Sequence, residues 1–344
     1  MHPQKARAVW VVAPRQVELR GEAVPPPGPG QVRVAASASA ISHGTEMLVY
    51  RGQIDPELPL DLPTLAGGFA FPIKYGYACV GQVLDVGPGV NEFAPGDQVF
   101  ALHPHQSHFL APAGLVTRLP PELDPALGVF FANSETALNV AHDAAPRLGE
   151  TALVFGQGVV GLLVTQTLRL AGAARVIAVE PDASRRALAR AVGADAALAP
   201  GPDLAEAIRA HNQGRLADLA VEVSGAPAAL QAALDSVLDE GTVVVASWYG
   251  RKPVTLDLGG RFHRGRIRLR SSQVGRLAPE TAPRWDHARR AATVAALLPR
   301  LQLAPLQGPR LPLERADEAY RLVDVGAAVQ VVLTYAGVRE DGAP

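Results

Sequence analysis

Gly156-Gln157-Gly158-Val159-Val160-Gly161 is the stretch of this chain whose residue types and spacing point most directly at chemistry. It fits G-x-G-x-x-G. In that pattern the first glycine makes a tight turn, the second lets a pyrophosphate approach the backbone, and the third lets a helix pack closely on a strand. N–H groups at the start of the following helix would hold the phosphates, where the helix dipole favours negative charge. In a chain with 33 glycines the pattern also arises by chance, and a glycine-rich turn without a ligand is the plain alternative. Context favours the ligand: an apolar run, 151–155, precedes the turn, an apolar helix follows, and a second strand, 175–180, ends in Glu180. A carboxylate about 20 residues beyond the glycines accepts from the adenosine ribose hydroxyls and repels a 2′-phosphate, which favours NAD. Arg185 and Arg186 follow. As charges on a helix face they are solvated; turned toward the nucleotide they would accept NADP.

A second group that could do chemistry is His103, His105 and His108, three imidazoles in six residues. They could supply a metal site, but Pro104 and the strand-end setting argue against a common focus and for a polar loop. Cys79 is the only cysteine, so neither an internal disulfide nor a cage of several thiolates is possible, which suits a reducing compartment. A net charge of −1 gives no reason to expect nucleic acid or an anionic membrane as partner. The opening residues show no apolar stretch behind their charges, and the most lipid-like segment, 153–179, is interrupted by Gln157, Gln166, Arg169 and Arg175. We therefore expect neither a secretory signal nor a membrane span, and a cytoplasmic location.

The elements that must position these groups fall into two patterns, as 344 residues would lead one to expect of two domains. In the first third, short runs at 9–12, 17–19, 31–36, 78–86 and 98–102 are separated by Gly/Pro punctuation, including Pro25-Pro26-Pro27-Gly28-Pro29-Gly30. That spacing predicts a small β-barrel. Residues 125–144 read as a helix. Beyond them, strands at 151–155, 175–180, 219–223 and 242–246 alternate with helices at 159–171, 183–192 and 227–238. Alternation with continuous apolar strands predicts an α/β fold with a parallel sheet covered on both faces. A helix at 285–298 and a strand at 329–335 close the chain.

This order, together with Gly44-Thr45-Glu46, Tyr50-Arg51-Gly52, 81–90, Pro95-Gly96-Asp97-Gln98-Val99, 227–241 and Val332-Leu333-Thr334-Tyr335, resembles the medium-chain dehydrogenase/reductase superfamily over essentially the whole chain. The superfamily includes alcohol dehydrogenases and quinone reductases. The resemblance implies a GroES-like β-barrel substrate domain made of 1–134 and 274–344, and a doubly wound Rossmann domain at 135–273. Ile41-Ser42-His43-Gly44-Thr45-Glu46 and Glu135-Thr136-Ala137-Leu138-Asn139 are most similar to the branch that includes bacteriochlorophyllide dehydrogenases.

The departures concern zinc. Where zinc-dependent members have cysteine before the Gly-Thr-Asp stretch, this chain has His43 after Ser42; for Gly-His-Glu it has Gly76-Tyr77-Ala78; the third ligand position is Ala132. The four-cysteine lobe is replaced by 103–108. A catalytic zinc needs about three protein ligands, and only His43 survives, so the resemblance implies a zinc-independent member. Without zinc, another group must stabilise or protonate the oxygen that receives negative charge during hydride transfer. Carried-over positions point to His43 or Tyr77 as that acid, Thr45 as a hydrogen-bond partner of the substrate oxygen, and His103 as part of the pocket wall. The usual relay histidine is Leu48. Glu46 is expected to pair with an arginine and hold its domain together.

For the cofactor the resemblance adds Thr136 near the nicotinamide, Ser224 and Gly225 beside the adenosine, and Ala246, Ser247 and Trp248 along the nicotinamide; Gln330 replaces a basic residue that often touches the pyrophosphate. The long segment 53–74, with Phe69 and Phe71, is either a packed surface loop or an apolar wall suited to a bulky substrate. The expected activity is hydride transfer between NAD and an alcohol or ketone. A quinone or enoyl reductase using NADPH, and a dinucleotide-binding protein without turnover, are the rivals. A homodimer through the sheet edge near 267–271 is expected from the resemblance.

Overall fold

Thr151–Phe155 is buried at every position, so it has no face to turn toward water and must lie in a sheet covered on both sides. In the computed structural model, which describes residues 4–60 and 67–336, it is the central strand of a six-stranded sheet. Side by side the strands are Ala196–Leu198, Arg175–Val179, Thr151–Phe155, Ala217–Glu222, Val237–Val245 and Arg268–Ser271, every neighbouring pair parallel. Counted along the chain this order is 3-2-1-4-5-6, the Rossmann arrangement, and its direction reverses between Thr151–Phe155 and Ala217–Glu222. At such a reversal the flanking loops part and leave a crevice beyond the strands' carboxyl ends. Leu153, Phe155, Ile177, Ala220, Leu234 and Val243 are among the buried side chains that form the core of this unit.

The compact unit built on this sheet is Asn133–Val294 with Arg300–Leu306. It therefore keeps residues 274–294, which the resemblance assigned to the substrate domain. Arg290 is the reason. It lies in the helix His287–Leu297, is 3% exposed, and donates to Glu135 (3.0 Å), to Asn139 Oδ1 (3.0 Å) and to the Val274 carbonyl (2.6 Å). A buried guanidinium so engaged ties its helix to the Rossmann side. The helix read at 125–144 is two, Pro125–Gly128 and Phe131–Ala144; Asp124 caps the first by accepting from the Ala126 N–H.

The other unit comprises Met1–Ala132, Ala295–Pro299 and Gln307–Pro344. Gln31–Ile41 is its organising strand, pairing antiparallel with Cys79–Val86, His108–Pro112 and Val331–Thr334. The sheet has seven strands, and a separate hairpin, Gln4–Ala13 with Gln16–Val24, stands beside it. The sequence reading missed His108–Pro112, Val116–Arg118, Leu204–His211 and Ala316–Asp324, all short elements whose apolar periodicity covers barely two turns or pleats. No helix among the described residues is long and apolar enough to cross a membrane.

One glycine of the nucleotide turn is fixed by packing. A Cβ at Gly161 would lie 1.9 Å from the Gly156 carbonyl oxygen, whereas a Cβ at Gly158 would meet nothing within 4 Å. Gly161→Ala should lower unfolding stability by about 1–3 kcal/mol, and Gly158→Ala by less than about 0.5 kcal/mol. Urea denaturation checks both, and a Gly161→Ala protein as stable as the wild type would remove the packing role assigned to that residue.

Candidate functional site

In the Rossmann unit the turn is formed as its sequence requires. Gly156 has φ +93°, and its N–H donates to the Val179 carbonyl at 2.8 Å. A Cβ there would meet the Ser224 backbone at 2.7 Å, so this position needs both the left-handed conformation and the missing side chain. Gln157 is buried, its side chain turned inward: it donates to the Val154 carbonyl and accepts from Thr165 Oγ1. Gly158 is the N-cap of the helix Val159–Leu170 and makes no side-chain cap. The first-turn N–H groups, among them those of Val159, Val160 and Gly161, have no intrahelical acceptor, and the space over Gly158 is open. A pyrophosphate fits this cradle of amides.

Glu180 stands just past the second strand, 5% exposed, and does more than the sequence suggested. It accepts from the Gln157 N–H at 2.7 Å and from the Asp182 N–H at 3.0 Å, so it braces the glycine turn itself. Each carboxylate oxygen has a second lone pair, leaving capacity for ribose hydroxyls. Arg186 is not simply solvated; it donates to the carbonyls of Glu180 and Pro181. The Arg185 N–H is capped by Asp182.

Across the sheet reversal, Glu222 holds the opposite wall, and no sequence signal had singled it out. It is 0% exposed and ends the strand Ala217–Glu222. Its carboxylate accepts from the Ser224 N–H (2.6 Å) and hydroxyl (2.5 Å), the Gly225 N–H (3.0 Å) and the Tyr249 hydroxyl (2.7 Å). Ser247 Oγ also accepts from the Gly225 N–H, at 2.8 Å. Ser224, Gly225 and Ser247 are thus brought together in one loop cluster, with Trp248 beside them and 46% exposed. Thr136 is half-buried on the helix Phe131–Ala144.

In the other unit the candidates cluster on residues 42–46. Thr45 opens the helix Thr45–Tyr50. Glu46, 1% exposed, has no arginine partner among the described residues, contrary to expectation. Its carboxylate accepts from the Ser42 N–H (2.9 Å), from His105 Nε2 (2.7 Å) and from the Tyr320 hydroxyl (2.5 Å). His105 is likewise no part of a polar loop: it is 0% exposed, with Nδ1 2.7 Å from Ser39 Oγ, which in turn meets the Tyr335 hydroxyl at 2.7 Å. Three hydrogen bonds to one charge, each worth about 1.5–3 kcal/mol, offset the several kcal/mol that burying a carboxylate costs. Nothing in the local sequence around His105 or Tyr320 signals this pairing, because 59 and 274 residues separate them from Glu46.

Ser42 links this buried network to Tyr77, whose hydroxyl donates to Ser42 Oγ. Burial pushes the Tyr77 pKa well up; the Ser42 hydrogen bond opposes the shift and the charge of Glu46 adds to it. Tyr77 therefore stays a neutral phenol at neutral pH. Tyr75 stands edge-on to it at 6.2 Å and Phe69 lies 5.7 Å from Tyr75, forming an aromatic patch. Residues 61–66 of the proposed apolar wall lie outside the described residues. His43 turns Nε2 to the Ala328 carbonyl at 2.7 Å. A carbonyl only accepts, so Nε2 carries the hydrogen. His103 sits in the core of its unit, stacked 3.9 Å from Phe109, with Nδ1 donating to the Pro104 carbonyl.

Two family models match the chain: "Alcohol dehydrogenase GroES-like domain" over residues 28–114 and "Zinc-binding dehydrogenase" over 159–289. The chain is 31% identical over 263 residues to the (R,R)-butanediol dehydrogenase of Bacillus subtilis (strain 168), covering 68% of this chain and 75% of that protein. The chain belongs to the alcohol-dehydrogenase-like family of medium-chain dehydrogenases/reductases. Another member, the D-guloside 3-dehydrogenase of Escherichia coli (strain K12), is 27% identical over 310 residues, 84% of this chain and 88% of that protein. A solved zinc-binding dehydrogenase from Sinorhizobium meliloti 1021, bound to NADP, superposes with a TM-score of 0.79 at 23% identity, over 96% of this chain and 99% of that one. At that identity the likeness establishes the two-domain dehydrogenase fold.

The family model's zinc is met by an unsuitable donor set here. Of the three ligand positions, Ala132 has no ligating atom, Tyr77 is engaged with Ser42, and His43 points its N–H at a carbonyl. Among the described residues no group of three or more His, Cys, Asp or Glu side chains is placed to hold a metal ion. His103, His105 and His108 go to separate partners, the Pro104 carbonyl, Glu46 with Ser39, and Ser107.

Burial lowers the His103 pKa from 6.5 to about 4; the Pro104 carbonyl opposes the shift, and the charges of Lys74 and His105 add to it. Unfolded, the ring takes up a proton below its ordinary value; folded, it resists until about pH 4. Between the two the unfolded chain binds the extra proton, so stability present above pH 6.5 is lost as pH falls. This one group should remove about 2 kcal/mol between pH 8 and pH 5. In His103→Gln that part of the pH dependence should vanish from urea denaturation curves, and an unchanged slope would show that His103 already titrates in the folded protein.

Proposed function

We propose that this chain is a zinc-independent, NAD-dependent oxidoreductase that transfers hydride between the nicotinamide and an alcohol or ketone, within the branch that includes bacteriochlorophyllide dehydrogenases. The observation that carries the reading is the open amide cradle at Gly158, braced from behind by the buried carboxylate of Glu180. A 2′-phosphate would set a second negative charge against that carboxylate, and Arg186, already bonded to two carbonyls, is not free to neutralise it. NAD is favoured for that reason. Ser224 and Gly225, held by Glu222, lie beside the adenosine, and Thr136, with Ser247 and Trp248, borders the nicotinamide.

The substrate's oxygen needs a proton when hydride reaches its carbon. His43 spends its ring N–H on Ala328, whereas Tyr77 is a neutral phenol held at the edge of the 42–46 segment. We assign the supply of that proton to Tyr77, a hydrogen bond on the substrate oxygen to Thr45, and part of the wall to His103. Phe69 and Tyr77, half-buried on either side of the buried Tyr75, suit a bulky or apolar substrate. We extend the proposal to a cytoplasmic enzyme acting as a homodimer along the edge strand Arg268–Ser271, three of whose four residues are exposed; light scattering in solution would give twice the chain's mass.

Fluorescence titration should give tighter binding of NADH than of NADPH, and Glu180→Ala should shrink that preference at least tenfold. With bound NADH and a panel of ketones, Tyr77→Phe should slow single-turnover hydride transfer at least tenfold, about 1.4 kcal/mol of barrier, while His43→Ala changes it less. Failure of the purified protein to bind either nucleotide would end the dehydrogenase reading. Stoichiometric zinc by elemental analysis would overturn its metal-free chemistry.

A further inference from the structure

The hydrogen-bond count at Ser42 goes beyond the assignment of Tyr77. A serine hydroxyl has two lone pairs and one hydrogen. Ser42 Oγ accepts from the Tyr77 hydroxyl and from the Gly44 N–H, the latter at 3.3 Å, so both lone pairs are taken. Its own hydrogen meets no acceptor among the described residues, although the residue is only 8% exposed. Tyr77, by contrast, has already committed its hydrogen to Ser42. The group left with a proton to give is the serine. Its place is also fixed from behind, since the Ser42 N–H donates to Glu46 at 2.9 Å, and Glu46 is in turn locked by His105 and Tyr320.

We propose that Ser42 is the catalytic residue that touches the substrate oxygen, as the terminal donor of a two-hydroxyl relay in which Tyr77 stands second. The inference rests on the proposed dehydrogenase reading. In the reducing direction the carbonyl carbon receives hydride, with its two electrons, from a reduced nicotinamide nucleotide, and the carbonyl π pair moves onto oxygen. The oxygen takes the Ser42 hydrogen while Ser42 takes that of Tyr77, so no free alkoxide forms on the serine. The Tyr77 phenolate is reprotonated by water at its half-buried edge. One C–H and one O–H bond have formed, and the net proton has come from solvent. Concerted transfer suits these groups, because a buried phenol gives up its proton readily only as another proton leaves ahead of it. Glu46 and His105 act as positioning residues: they hold the Ser42 backbone and take no proton from the substrate.

The test compares Ser42→Ala, Tyr77→Phe and the double variant in single-turnover reduction of a ketone by NADH, alongside NADH affinity. Ser42→Ala should lose at least tenfold in rate with NADH binding within about twofold of the wild type, and the double variant should be no slower than the slower single one, since the two groups act in series. A proton inventory in mixed H2O and D2O should curve for the wild type, with two hydrogens in flight, and become linear in Tyr77→Phe. A readout independent of turnover is the Tyr77 Cζ resonance in protein labelled with [ζ-13C]tyrosine, identified by its absence from Tyr77→Phe. It should shift in Ser42→Ala without any nucleotide present. A Ser42→Ala rate within twofold of the wild type, multiplicative losses in the double variant, or an unmoved Tyr77 resonance would overturn the relay. None of these outcomes touches nucleotide binding, whose absence would instead sink the dehydrogenase reading.

Discussion

A carboxylate shut away from water must be surrounded by donors, and in this chain that constraint is met three times at places where loops would otherwise be loose. Glu46, Glu180 and Glu222 are each 5% exposed or less. Glu46 gathers the Ser42 backbone, His105 and Tyr320; Glu180 gathers the glycine turn and the loop after its strand; Glu222 gathers Ser224, Gly225 and Tyr249. Removing one partner from a buried charge costs about 3–5 kcal/mol, far more than a surface ion pair contributes. These loops are therefore held in one geometry by electrostatics, while the strands beneath them are held by apolar burial.

That division of labour suits metal-free hydride chemistry. A zinc ion would fix the substrate oxygen and stabilise its charge together. Under the proposed metal-free reading, fixing and stabilising come from hydrogen bonds, and hydrogen bonds serve only if their donors do not move. The chain Tyr335–Ser39–His105–Glu46–Ser42 joins the closing strand to the segment that would face the substrate. Its inner members, Ser39, His105 and Glu46, are fully or almost fully buried, so solvent does not compete for their bonds.

The alternating strands and helices of residues 151–246 were legible because each strand is a short, largely apolar run with a glycine or proline at or just past its end, and because Val159–Leu170 is long enough to show its helical character. The glycine turn was legible for a sharper reason: its first and third glycines, Gly156 and Gly161, stand where a side chain would collide with backbone. Short elements such as Val116–Arg118 and Ala304–Leu306 offered too few residues for any period to register. The tail helix was legible, but its attachment through Arg290 was not, since that depends on Glu135, 155 residues away in the chain.

The sequence alone determined the Rossmann strand order's ingredients, the position of the nucleotide turn and the acid beyond the second strand, because all of these are local properties of residue type and spacing. Only the tertiary structure decided that Glu46 is satisfied by a histidine and a tyrosine rather than an arginine, that Glu180 also braces the turn, and that Tyr77 donates to Ser42. Those facts are pairings between distant segments, and a pairing is fixed by which donor the folded backbone carries to an unsatisfied acceptor, a quantity that no single stretch of sequence contains.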